Sequence, residues 1–121
     1  MTPDDRPLGN VATTLLFEND RVRVWEMHLA PGERSDRHRH DLPYVMCIVE
    51  GSRVDADIEG AGRVEIPVQP GSVFFVPPGA TETAINPSGQ PFREILIELK
   101  DASATCAPFA VANVPAPISR A

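Results

Sequence analysis

Short apolar runs, each closed by a glycine- or proline-bearing turn about ten residues after the last, set the strongest limit on what this chain can fold into. The runs are TTLLFE, VRVWEMHL, YVMCIVE, RVDADIE, RVEIPV, SVFFVP, TETAIN and FREILIEL. Between them lie APGE (30–33), EGS (50–52), EGAG (59–62), QPGS (69–72), PPGA (77–80) and NPSGQP (86–91). Glycine supplies the positive φ that tight turns need and proline presets a negative one, so these segments are turns for a stated reason. Runs this short at this spacing predict an all-β chain folded as a sandwich or a small antiparallel barrel. In REILIELK, Ile95, Ile97 and Leu99 share one face while Glu94, Glu98 and Lys100 mostly hold the other. That is the period of a strand, not of a helix.

A length of 121 residues with 42% hydrophobic side chains fits a single domain, 1–121, able to build a modest core without crosslinks. The expected barrel core spans about 15–100, followed by an extended Ala/Pro-rich arm over 101–121. A net charge of −6 leaves no basic stripe to displace counterions from a phosphate backbone, which sets nucleic acid aside as a partner. No apolar stretch approaches the ~20 residues of a membrane span, and MTPDDRPLGN has no charged region leading into an apolar one. A cytoplasmic chain without a membrane partner is therefore expected. Cys47 and Cys106 are too few for a disulfide framework and read as buried, reduced thiols.

The chemistry concentrates in DRHRHDLPY, which holds two of the three histidines. On an extended chain, side chains two apart project from one face roughly 6–7 Å apart, close enough to converge on one ion. His38 and His40 are thus candidate metal ligands. The third histidine, His28, sits near a strand end and reads as surface. Arg34, Arg37 and Arg39 can attract an anion, but Glu33, Asp36 and Asp41 lie among them, which favours a self-neutralised solvated loop. Asp55 and Asp57 lack the other ligands of a calcium loop and read as hairpin surface. Gly60 and Gly62 open no helix after a buried strand, and no G-x-S-x-G elbow or phosphate loop is present.

Around the histidines stand Gly32, His38, His40, Tyr44 and Gly51, followed by Gly71, Pro77, Gly79, Glu82 and Asn86. In this frame the chain resembles the cupin superfamily. Its motifs G-x5-H-x-H-x3-E-x6-G and G-x5-P-x-G-x2-H-x3-N are matched at every glycine, proline and asparagine and at two of the four usual ligands. Tyr44 stands where the family has glutamate, and Glu82 where it has histidine. NDRVRVWEMHLAPGE more loosely resembles the small single-domain cupins of the β-alanine degradation protein type.

The resemblance implies a small antiparallel β-barrel of the double-stranded β-helix or jelly-roll kind. His38, His40 and Glu82 would hold one divalent metal ion, Fe(II), Mn(II) or Zn(II), the donor set of the facial triad of non-haem iron oxygenases. If Glu82 instead faces solvent, Thr81 and Thr83 turn inward and the metal site is degenerate. Tyr44 points to the same face as His40; its phenol can ligate, exchange a proton or simply pack. The function implied is a metal-dependent enzyme acting on a small polar molecule, with Tyr44 and Glu82 as catalytic residues. A dioxygenase is placed ahead of a lyase, isomerase or decarboxylase. The alternative is a non-catalytic, metal-free cupin that binds a small ligand. Pairing of two copies through edge strands and arms, a homodimer, is also implied.

Overall fold

The computed structural model describes residues 7–100 and 113–114. These form β1 (Thr14–Glu18), β2 (Val22–Leu29), β3 (His38–Arg39), β4 (Tyr44–Glu50), β5 (Arg53–Ile58), β6 (Gly62–Pro67), β7 (Val73–Val76), β8 (Thr81–Ile85), β9 (Phe92–Leu99) and β10 (Asn113–Val114). All eight runs read from the sequence are strands, with β3 and β10 as two-residue additions. No helix occurs among the described residues, so none is long and apolar enough to cross a membrane. The arm expected over 101–121, with Cys106 in it, lies outside the described residues except for 113–114.

Every pairing is antiparallel. One sheet runs β1-β2-β9-β4-β7-β10 and the other β3-β8-β5-β6. The core between them takes Trp25, Met27 and Leu29 from β2, Ile48 from β4, Val54 from β5, and Phe92 and Leu96 from β9. Phe92 and Leu96 are almost wholly buried, and each such side chain is worth about 1.5–3 kcal/mol of transfer free energy. The fold is all-β, as the turn spacing predicts.

Strand β9 shows where hydropathy alone misleads. Its buried face is Phe92, Glu94, Leu96 and Glu98, while Ile95, Ile97 and Leu99 occupy the half-buried outer face. The alternation read from the sequence is real, but the glutamates point inward. Registration explains how one of them is accommodated. Glu98 lies opposite Arg23 and Tyr44 and accepts a 2.8 Å hydrogen bond from the Trp25 indole. Glu94 lies between Met27 and Ile48. Asp55 also departs from its expected surface position: it is fully buried and bonded to Arg53 and Arg63, each at 2.8 Å. The two guanidinium groups lower its carboxyl pKa against the cost of burial and cover it on the outer side of β5.

The glycines and the asparagine of the two sequence frames meet in space through main-chain bonds. Gly32 N donates to Asn86 O at 2.8 Å, Asn86 N to Glu33 O at 3.0 Å, Gly71 N to Ile48 O at 2.9 Å and Gly79 N to His40 O at 2.8 Å. Asn86 is completely buried. Its amide donates to Leu29 O and Gln90 O and its carbonyl accepts from Ser88 N and Oγ, locking the turn that leads into β9. Gly51 has φ of 120°, and a Cβ there would lie 2.9 Å from the Phe92 ring and 3.2 Å from its Cα. Only glycine satisfies both conditions.

Candidate metal centre

A two-residue strand at the end of its sheet, β3, carries the site. In the β3–β8 ladder His38 stands directly opposite Glu82, and antiparallel partners have their Cβ atoms only about 4.5–5.5 Å apart. His40 lies one residue past β3 and is kept in line by its N–H to Ala80 O at 2.9 Å and by the bond from Gly79. Both histidines are buried, with ring centroids 4.7 Å apart in an edge-on arrangement.

Glu82 faces the pair. Its Oε2 is 3.2 Å from His40 Nε2 and 3.6 Å from His38 Nε2, and one ligand atom from each residue falls within 4.8 Å of the others. The alternative in which Glu82 faces solvent is not what the fold adopts. Burial raises the Glu82 carboxyl pKa, but hydrogen bonds from His38 and His40, with their charge, outweigh it and hold the group down at about 2. It is therefore an anion at neutral pH.

The donors suit a divalent ion. Bonds of about 2.1 Å put neighbouring ligand atoms about 3.0 Å apart at right angles and about 3.4 Å apart at the tetrahedral angle, close to the two observed separations. His38 Nδ1 bonds to Asp36 O at 2.8 Å. A carbonyl only accepts, so Nδ1 carries a proton and Nε2 is the nitrogen turned toward the site, the one that would ligate an ion in place of its contact with Glu82. His40 is oriented differently. Its Nδ1 is buried without a hydrogen-bond partner, and the ring is instead held by stacking on Tyr44, with centroids 4.2 Å apart and planes 25° apart.

Tyr44 is buried beside the centre. Burial, then Glu82, Glu94 and Glu98, push its phenol pKa well up, so it keeps its proton. It can donate; it is a poor base. The other residues weighed in the sequence lie elsewhere: His28 is exposed on the outer side of β2, Arg39 pairs with Asp41 at 3.0 Å and Arg37 with Glu59 at 2.9 Å.

A cavity of about 260 Å³ opens beside the three donors, and its walls are mostly apolar, among them Met27, Met46, Val54, Ile66, Phe74 and Leu96. The same cavity is lined by Glu94, although hydropathy alone assigns it to a polar strand face. Burial first and the Glu82 charge second push the Glu94 carboxyl up to about 8. A signal for this inversion was present in FREILIEL, because Phe92 and Leu96 share the parity of Glu94 and Glu98.

The model of the family described as "Cupin domain" matches residues 25–98. Among solved structures, a cupin domain from Bordetella pertussis Tohama I is 27% identical with a TM-score of 0.66, over 76% of this chain and 99% of that one. A salicylate 1,2-dioxygenase from Pseudaminobacter salicylatoxidans is 22% identical with a TM-score of 0.52, over 64% of this chain but 22% of its own. A DMSP lyase from Ruegeria pomeroyi DSS-3 is 20% identical with a TM-score of 0.52, over 72% and 42%. These last two likenesses concern the fold alone. Among curated proteins none matches the chain.

Proposed function

The chain belongs to the cupin family, and we propose that it is a mononuclear metal-dependent enzyme in which His38, His40 and Glu82 hold one divalent ion. The observation carrying this reading is the convergence of two buried imidazoles and an ionised carboxylate on one point beside a cavity. Two neutral nitrogen donors and one anionic oxygen suit Fe(II), Mn(II) or Zn(II). When bound with open positions, such an ion supplies Lewis acidity and, if redox-active, oxygen activation.

The chain's own residues supply the rest. The Asp36 carbonyl fixes the His38 tautomer, and the Tyr44 ring fixes the plane of His40. The Tyr44 hydroxyl, kept protonated, is a hydrogen-bond donor to a substrate oxygen, in place of the acid-or-base role expected of it. The apolar walls exclude water from the reacting end, so the substrate has one polar end and an apolar body. A dioxygenase leads because the donor set permits oxygen chemistry; a lyase, isomerase or decarboxylase follows. We take the working form to be a homodimer paired along β1, an edge strand whose Leu15, Leu16 and Phe17 are all exposed.

Elemental analysis of protein purified without a histidine tag tests the reading. About one ion per chain, lost in Glu82→Ala while the fold is retained, is the expected result. Protein with no stoichiometric metal and no change of melting temperature on adding chelator would point to a metal-free ligand-binding barrel instead.

A further inference from the structure

The interior of the barrel carries one more group than the metal centre uses. Glu94 projects from the middle of β9 into the cavity, and its cross-strand neighbours on both sides are the apolar side chains of Met27 and Ile48. Glu98, two repeats along the same face, beyond Leu96, has the Trp25 indole and Arg23 to satisfy it. Glu94 is as buried as Glu98, yet the cavity is what its carboxyl meets. An acid placed among hydrocarbon is costly unless it is neutral and hydrogen-bonded.

The charge of the walls narrows what can fill the space. Among the described residues lining the cavity there is no lysine or arginine; its acidic residues are Glu82, Glu94 and Asp55, the last already paired with Arg53 and Arg63. Without a bound ion, an anion would meet the Glu82 and Glu94 carboxyl groups and no lysine or arginine. An uncharged molecule with an oxygen acceptor meets hydrocarbon along most of its length and, away from the metal-centre end with its Tyr44 hydroxyl, the Glu94 carboxyl as donor.

We infer that Glu94 is a specificity residue whose carboxyl donates a hydrogen bond to the carbonyl or hydroxyl oxygen of an uncharged, mainly apolar ligand held in the barrel cavity. This rests on the reading of that cavity as the substrate site and is independent of the ion. Burial and the nearby Glu82 keep Glu94 protonated at neutral pH, as donation requires. The groups around it are Met27 from β2, Ile48 from β4, and Glu82, His38, His40, Tyr44 and the arginine-paired Asp55 around the cavity; none of these is a lysine or arginine.

The test uses four probes of similar size: acetophenone, ethylbenzene, benzoate and benzylamine, titrated by calorimetry or NMR into chelator-dialysed protein at pH 6.5. Acetophenone should bind about 2- to 12-fold more tightly than ethylbenzene, the ratio one net hydrogen bond provides, and more tightly than either charged probe. Glu94→Gln, whose amide still donates, should keep the preference, and Glu94→Met should erase it. At pH 9.5 the wild type should lose the preference as Glu94 ionises, while Glu94→Gln keeps it; this comparison holds even if Glu94→Met does not fold. Tighter binding of benzoate or benzylamine than of acetophenone overturns the inference, and so does a preference that survives Glu94→Met or is unchanged at pH 9.5. Repeating the titrations with Zn(II) separates the two readings. A preference seen only with zinc and indifferent to Glu94 leaves the metal centre standing and removes Glu94. A Glu94-dependent preference in protein that takes up no zinc does the reverse.

Discussion

Replacing Glu94 by glutamine should flatten the dependence of stability on pH in a defined window. The native carboxyl holds its proton until about pH 8, because burial and then Glu82 disfavour its charge. The unfolded chain releases that proton near the ordinary value of 4.5. Between these limits the native state binds more protons than the unfolded one, so stability falls as pH rises from 4.5 to about 8 and then levels off. At about 1.36 kcal/mol per pH unit, the ceiling on the loss is about 5 kcal/mol; relaxation around the site reduces it. Glutamine keeps the volume and a donor and cannot ionise. With chelator present, wild type and Glu94→Gln should unfold alike near pH 5 and differ by at least ~2 kcal/mol at pH 8.5, the variant being more stable. Urea titrations followed by Trp25, the single tryptophan, would register this as a midpoint shift of about 1 M, given slopes of about 1–3 kcal/mol/M for small domains. Parallel midpoint profiles for the two proteins across pH 5–8.5 would refute the burial of an acid at residue 94.

Other perturbations probe other layers of the molecule. Asn86→Ala removes a buried amide with four hydrogen-bond contacts and should cost about 2–4 kcal/mol, visible as a fall in melting temperature. Gly51→Ala forces a side chain into the left-handed region and against Phe92; a loss of about 1–3 kcal/mol is expected by urea unfolding. Leu16→Glu on the exposed edge strand should convert a dimer to a monomer in sedimentation velocity without changing the circular dichroism spectrum; a wild type that already sediments as a monomer removes the dimer proposal.

Much of this architecture was legible because turn chemistry is local. Each glycine or proline cluster bounded a strand within a residue or two, and matching the two frames placed His38, His40 and Glu82 near one another before their register was known. The inward turn of Glu82 followed only from its pairing with His38, a non-local fact. Strand β9 resisted for a different reason. With Phe92 and Leu96 on one parity and Ile95, Ile97 and Leu99 on the other, both faces are apolar enough to be buried, so hydropathy cannot say which one a barrel encloses. The choice is made by neighbours far along the chain: Trp25 needs an acceptor for its indole, and Glu98 provides it. The burial of Asp55 is equally non-local, since Arg53 and Arg63 cover it only once the β5–β6 hairpin closes.

The main-chain bonds between Gly32 and Asn86, Gly71 and Ile48, and Gly79 and His40 make scaffold and chemistry separable layers. Peptide groups do that joining, so exchanging the side chains at residues 44 and 82 leaves the join untouched. A Glu82→His replacement should accordingly convert the donor set to three imidazoles on an unaltered frame. Chemical identity in this barrel can change by single steps, without the chain having to find a new way to fold.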